Sequence, residues 1–355
     1  MKILHVITSL RTGGAEKMVT DLAPRMKKRG HQVDVAVFDG FETPFMERLK
    51  AQGCKVISLG KSMYSPVHIF RLKKLMKEYD IVHTHNTYPQ LYAVIANLSS
   101  KARIITTEHN TNNHRRKYLL FRIIDKWMYS QYNQVICISD KAYENLKDYI
   151  ESDDNISVVY NGINVDFFHQ ALPLEKEKPN KFVVVMVSSM RDQKDQDTLI
   201  RAISLLPKDM YELWLVGDGN RRAILEQLVK DLGLHNIVRF WGVRTDVAQI
   251  LHTADAIVMS SHYEGLSLSS IEGMAVGKPF IASDVDGLHE VVEGAGILFP
   301  HQDADALAMI LQKLRGDSDY YDNVVSACYK RAKQYDINNT VDSYESIYKY
   351  TLNYV

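Results

Sequence analysis

The chain has 355 residues, 46% of them apolar, which is too long for one typical domain and enough for two sizeable cores. Lys and Arg total 43, as do Asp and Glu, so the formal net charge is +0 and nothing global points to nucleic acid. The three cysteines, Cys54, Cys137 and Cys328, are far apart; they form neither a disulfide framework nor a metal-ligand spacing and read as buried thiols of a reducing compartment.

The chain opens on the apolar run Ile3 to Ile7, too short for a signal peptide and read as a buried strand. Gly13 and Gly14 follow it, and Ala15 to Arg29 reads as a helix ending at Gly30. Glycines in that place either let backbone approach a phosphate or sugar, or simply turn the chain. Val33 to Phe38, Val56 to Leu59, Ile81 to His83, Ile104 to Thr107 and Val135 to Ile138 repeat the strand pattern. Short apolar strands separated by helices predict a parallel sheet covered on both faces. His83, His85 and His109 close strands in this half; each is either a sugar-hydroxyl partner or a structural histidine. Residues 113–132 mix Arg115, Arg116, Lys117, Arg122 and Lys126 with Phe121, Ile123, Ile124 and Trp127. That helix either rests on anionic lipid headgroups or packs on the core with a solvated basic face.

Residues 166–181, with Pro173 and Pro179 around a charged run, read as an interdomain linker between an N-terminal domain (1–165) and a C-terminal one (182–335). A second alternating series begins at Phe182 to Val187. It continues through Leu213 to Val216, Val238 to Phe240, Ala256 to Met259 and Phe280 to Ala282. Arg191 and Lys194 follow the first of these strands, where open α/β sheets bind ligands. They either neutralise a diphosphate or pair with Asp192 and Asp195 in a solvated turn. Gly217-Asp218-Gly219 and Trp241-Gly242-Val243-Arg244 close two further strands and border a nucleotide pocket or merely turn the chain.

The densest signal is Glu264-Gly265-Leu266-Ser267-Leu268-Ser269-Ser270-Ile271-Glu272. Ser267, Ser269 and Ser270 are capping residues, and Ile271, Met274 and Ala275 give helical apolar spacing. A helix N-terminus carries unpaired N–H groups and partial positive charge and can hold a phosphate. Glu264 then sits beside the anion, and Glu272 lies inside the helix about two turns along. The pattern suggests a nucleotide-sugar site. The tail 336–355, with Tyr344, Tyr348, Tyr350 and Tyr354, predicts a terminal helix packed back on the first domain. No segment approaches the roughly 20 apolar residues that span a bilayer, so a cytoplasmic protein is expected, peripheral at the inner membrane face if the basic helix docks there.

In order, these segments resemble the retaining glycosyltransferases of family 4. The resemblance rests on Gly13-Gly14-Ala15-Glu16, Asn161 to Phe168, Val216 to Gly219, Ala254-Asp255-Ala256, the E-x7-E run Glu264 to Glu272, and Ala275 to Pro279. It implies the GT-B fold, an α/β arrangement of two Rossmann-like, doubly wound parallel-sheet domains facing across a cleft. It implies that Arg191 and Lys194 bind the donor diphosphate, Glu264 the transferred sugar and Glu272 the ribose. Backbone N–H groups of Gly265, Leu266, Ser267 and Leu268 would hold the distal phosphate and sugar. His109 would approach the reacting carbon, and Gly14 would border the phosphates from the opposite domain; Gly13, Gly219 and Val243 are added as donor-binding candidates from their places at strand ends. His109, Glu264 and Lys194 form the implied catalytic set.

No cofactor or metal is expected, only a nucleotide-sugar co-substrate. Departures from the family pattern are Ser188 and Ser189 in place of Gly-Arg, Gly273 in place of alanine, and Asp286-Gly287 in place of two glycines. The expected activity is retaining transfer, with UDP the first choice of nucleotide, to a glycan or polyprenyl-linked acceptor in surface polysaccharide or lipopolysaccharide assembly. Front-face substitution, with domain closure excluding water, is the expected mechanism. A non-hydrolysing nucleotide-sugar epimerase and a silent nucleotide-sugar-binding subunit are the alternatives.

Overall fold

The computed structural model describes residues 1–11, 13–100, 102–109, 116, 118–174, 177–265 and 267–354. The chain divides into two units, Met1–Asn161 with Ile337–Val355, and Gly162–Asp336.

The first unit is built on seven parallel strands: β1 (Lys2–Ile7), β2 (Gln32–Val37), β3 (Lys55–Ser58), β4 (Ile81–His85), β5 (Arg103–Glu108), β6 (Gln134–Cys137) and β7 (Ile156–Val158). Their spatial order is β3-β2-β1-β4-β5-β6-β7, so the winding reverses between β1 and β4. That reversal is where open sheets of this kind bind ligands. Side chains alternate between two cores. Ile3 and Ile7 of β1 join a core with Met18, Leu22, Val341, Tyr344 and Tyr348. Leu4 and Val6 join the other, with Leu72, Met76, Met128 and Leu146. The C-terminal helix Ile337–Tyr354 belongs to this unit and buries Val341, Tyr344 and Tyr348 completely. Tyr350 does not share that face: it is 51% exposed.

The second unit repeats the plan with β8 (Phe182–Val187), β9 (Tyr211–Val216), β10 (Val238–Gly242), β11 (Ala256–Met259), β12 (Phe280–Ser283) and β13 (Ile297–Phe299). Their order is β10-β9-β8-β11-β12-β13, with the reversal between β8 and β11. Central strands buried on both faces read as unbroken apolar runs: Tyr211–Val216 is buried at every position. Trp214 lies at the centre of this core, fully buried, its indole N–H donating to Glu212 at 2.8 Å.

Within 166–181, the described residues Phe168, Ala171 and Leu174 are anchored in the second unit. Val165 and Phe168 sit in the second core, and the Leu174 amide donates to Thr253 Oγ1 at 2.7 Å. The chain crosses between units at Asn161–Gly162 and Asp336–Ile337 instead. A proline-bounded charged stretch can still be anchored by the apolar residues that precede it.

Candidate active site

In the second unit the chemistry gathers at the reversal. Lys194 lies beyond the end of β8 and Glu264 beyond the end of β11, on either side of that point. The Lys194 ammonium donates to Glu264 Oε1 in a largely buried ion pair, and Ser261 Oγ donates to the same oxygen at 2.6 Å. The two loops also brace each other through backbone. The His262 amide donates to Gln193 O at 2.8 Å, and Gln193 Nε2 donates to Tyr263 O at 2.9 Å. Lys194 therefore pairs with Glu264, not with its neighbours. Asp195 caps the helix Gln196–Ser204, accepting from the Thr198 hydroxyl at 2.7 Å, while Asp192 and Asp197 are engaged by Arg221 at 3.2 and 3.0 Å. Arg191 is exposed on extended backbone.

The helix Leu268–Ala275 starts where the serines predict, with Ser267 as its cap: its Oγ accepts from the Ser270 amide at 3.3 Å. Ser269 and Ser270 lie inside the helix. Glu272 stands one turn in, not two, because the helix begins only at Leu268. Gly265 is exposed and Leu268 half-buried; Leu266 lies outside the described residues.

Packing explains the departures from the family pattern. A Cβ at Gly273 would lie 2.7 Å from the Phe280 ring, so the phenyl group takes the room an alanine would need. Gly287 has φ +82, and a Cβ there would lie 2.2 Å from Glu264 O and 2.5 Å from Gly265 O. Asp286 contributes its carbonyl, which accepts from the Glu264 amide at 3.1 Å. Gly287→Ala would force strained backbone and a clash with the Glu264 loop, at a cost of about 1–3 kcal/mol. Its expected result is a lowered Tm in thermal unfolding.

Gly219 is likewise a packing glycine: its missing Cβ makes room for Met190 O, 2.3 Å from where it would stand. Ser188 Oγ accepts from Gln196 Nε2 at 3.0 Å, a structural contact in the place of the family's usual pair. Val243 is 79% exposed, and Arg244 lies over the Trp241 ring at 5.1 Å. Ser261 and Arg221 were missed by the sequence reading; the one carries only a hydroxyl, and the other looks like an ordinary helix-start arginine.

The first unit has its own cluster at the β1/β4 reversal. Gly13 precedes the helix Gly14–Lys28; the Glu16 carboxylate occupies the space of a Gly13 Cβ, whereas Gly14 opens on nothing within 4 Å. Asn86, directly after β4, has φ 69 and donates to Glu16 Oε1 at 3.3 Å. Asparagine tolerates that left-handed backbone better than most residues. His5, His85 and His109 are joined nitrogen to nitrogen, at 3.0 Å in both links. His83 is held by Tyr348 Oη at 2.5 Å and Thr107 Oγ1 at 2.8 Å. Burial pushes His5 down to about 3 and His109 to about 4. His83 and His85 are held well below the ordinary value, chiefly by burial and then by neighbouring imidazoles. All four are neutral near pH 7.

The helix Leu119–Ser130 differs from its expected polarity. Phe121, Ile123 and Trp127 are exposed, while Arg122 and Lys126 both pair with Glu151. Arg116 pairs with Glu108 at 3.7 Å, and residues 113–115 and 117 lie outside the described residues. No helix among the described residues is long and apolar enough to cross a membrane.

Residues 12–167 match the family model described as Glycosyltransferase Family 4, and residues 181–317 match that of Glycosyl transferases group 1. The Bacillus subtilis protein named glycosyltransferase EpsD is 25% identical over 347 residues, covering 91% of this chain and 90% of its own. The Escherichia coli UDP-Gal:alpha-D-GlcNAc-diphosphoundecaprenol alpha-1,3-galactosyltransferase is 27% identical over 286 residues, covering 74% and 73%. The crystal structure of Anabaena Alr3699/HepE in complex with UDP aligns with a TM-score of 0.85 at 22% identity, covering 98% of this chain and all of that one. The fold shared with it is GT-B, two Rossmann-like parallel-sheet units.

Proposed function

The chain belongs to glycosyltransferase family 4, its second half a glycosyl transferases group 1 domain, and from that premise we propose that it transfers a sugar from a UDP-linked donor to a lipid-linked glycan, with retention and without a metal. The observation that carries this reading is the Lys194–Glu264–Ser261 constellation at the β8/β11 reversal, one loop ahead of a capped helix. A donor diphosphate arriving there meets an ammonium group and the N–H groups of the helix start. Glu264, freed from Lys194 by the phosphate's competition, turns to the sugar hydroxyls, and Glu272 takes the ribose. Lys194 and Arg191 stabilise the departing diphosphate. In front-face substitution the bond from the anomeric carbon to the leaving phosphate oxygen breaks. The acceptor oxygen bonds to that carbon on the same face and passes its proton to the phosphate. No protein base is consumed.

The UDP-bound structural neighbour and the diphosphoundecaprenol-dependent relative support the donor and acceptor classes. The exposed Phe121, Ile123 and Trp127 support membrane contact through apolar insertion more than through charge, since Arg122 and Lys126 are already paired.

The test is a product assay with UDP-sugars and a polyprenyl-diphosphate glycan. Transfer unaffected by EDTA, with the donor's anomeric configuration kept in the product, is expected. An inverted product or EDTA-sensitive transfer would contradict the mechanism. Conversion of the donor sugar with no acceptor present would favour the epimerase.

A further inference from the structure

Three side chains from three loops of the second unit converge within ligand distance of one point. Asp195 follows Lys194 after β8, His262 follows Ser261 after β11, and His301 stands in the turn between β13 and the helix Ala304–Gly316. Their ligand atoms, one from each residue, all lie within 4.8 Å of one another. His262 Nδ1 is 2.7 Å from His301 Nε2 and 3.8 Å from Asp195 Oδ2. Two imidazole nitrogens and a carboxylate oxygen are a donor set that suits zinc. Ligands about 2.0–2.1 Å from a tetrahedral zinc stand about 3.3 Å apart, so each of these spacings needs to change by only roughly half an ångström.

Each donor is held from its own side. Asp195 is buried, has left-handed backbone at φ 46, and accepts from the Thr198 hydroxyl at 2.7 Å and the Thr198 amide at 3.4 Å. A carboxylate with these two bonds still has lone pairs to offer a cation. His262 is fixed by its amide bond to Gln193 O. The turn carrying His301 is closed by the Asp303 amide, which donates to Pro300 O at 3.0 Å. His262 is half-buried and His301 exposed, so an ion has a way in. His5, His83 and His85 also lie within ligand distance of one another, but all three are buried, and every nitrogen except His5 Nε2 is already hydrogen-bonded.

We propose that Asp195, His262 and His301 form a zinc site, completed by water, that ties the loop carrying Lys194 to the loop carrying Glu264. The ion takes the place of the proton that the two imidazoles otherwise share. Asp195 is the next residue after Lys194, and His262 lies two residues before Glu264. Zinc therefore adds a brace to the two hydrogen bonds that already join these loops through Gln193. None of the three ligands meets the donor in the transfer step, so the site is independent of the metal-free transfer proposed above.

The test is calorimetric titration of zinc chloride into metal-free protein at about pH 7.5 with no substrate present. A single zinc should bind each chain, and magnesium chloride should give no binding heat. Zinc at about 100 times its Kd should raise the Tm of the second unit by about 5 °C. It should also slow hydrogen exchange at residues 193–195 and 261–263. His301→Ala alters an exposed side chain and should fold with an unchanged metal-free Tm. Its zinc affinity should fall at least about tenfold, and zinc should no longer slow exchange in the two loops. His262→Ala should lose zinc in the same way. No stoichiometric zinc binding by the wild-type protein overturns the inference. So does undiminished zinc affinity in folded His301→Ala, which would put the ion elsewhere.

Discussion

Replacing Lys194 with alanine is expected to lower transfer about 100- to 1,000-fold, the usual cost of removing one group that stabilises charge developing in a transition state. The leaving diphosphate loses its cation; the Lys194–Glu264 pair of the free protein is already exchanged for the phosphate when the donor is bound, so its loss adds little to the rate effect. Lys194→Arg should recover only part of the rate, because a planar fork does not replace a compact ammonium in a loop braced by Gln193 and His262. Steady-state kinetics should place most of the Lys194→Ala loss in kcat. Full transfer activity in this variant would end the diphosphate role of Lys194.

Acidification should weaken the first unit before the second. The linkage follows from the four buried histidines. His5 is held at about 3 and His109 at about 4, and His83 and His85 lie well below the ordinary value. In the unfolded chain each titrates near 6.5. Below that value the unfolded state binds protons that the native state refuses, so stability is full above about pH 6.5 and falls as the pH drops toward the native values. Each such group contributes a slope of up to about 1.4 kcal/mol per pH unit. In the second unit His252 is also held down, by burial and then by Lys278, while His289 is raised by its hydrogen bond to Asp284 and works in the opposite direction. Hydrogen exchange at pH 7 and pH 5, corrected for intrinsic rates, should show β1, β4 and β5 losing protection while β8, β9 and β11 keep theirs. Equal loss in both units would show that the histidines are not buried neutral.

The alternation of apolar strands and helices was legible because parallel strands buried on both faces leave no other pattern. Ile3–Ile7 and Phe182–Val187 could hardly be anything else. The strands β7 and β13 were not legible: at three residues each they are too short for any periodicity. Lys194, Glu264 and the capped helix were legible near strand ends, but the only acidic partners for Lys194 visible in the sequence were its neighbours Asp192 and Asp195, not Glu264. Asp192 and Asp195 are nearer in sequence, whereas Glu264 comes within reach only because β8 and β11 are neighbours across the reversal. Gly273 and Gly287 were visible as oddities. Their reasons, the Phe280 ring and the Glu264 carbonyl, lie in packing between segments distant in sequence. The histidine chain is the clearest case. Its members are scattered through the sequence, His5 inside β1 and His85 and His109 at later strand ends, and they meet only once parity and parallel register set them on one face.

The most direct measurement is a crystal structure of this protein with UDP bound. The expected density puts the diphosphate against Lys194 Nζ and the amides of residues 265–268, with the ribose at Glu272 and Glu264 released from its ion pair. UDP seated elsewhere on the chain, with the Lys194–Glu264 pair intact, would contradict the account.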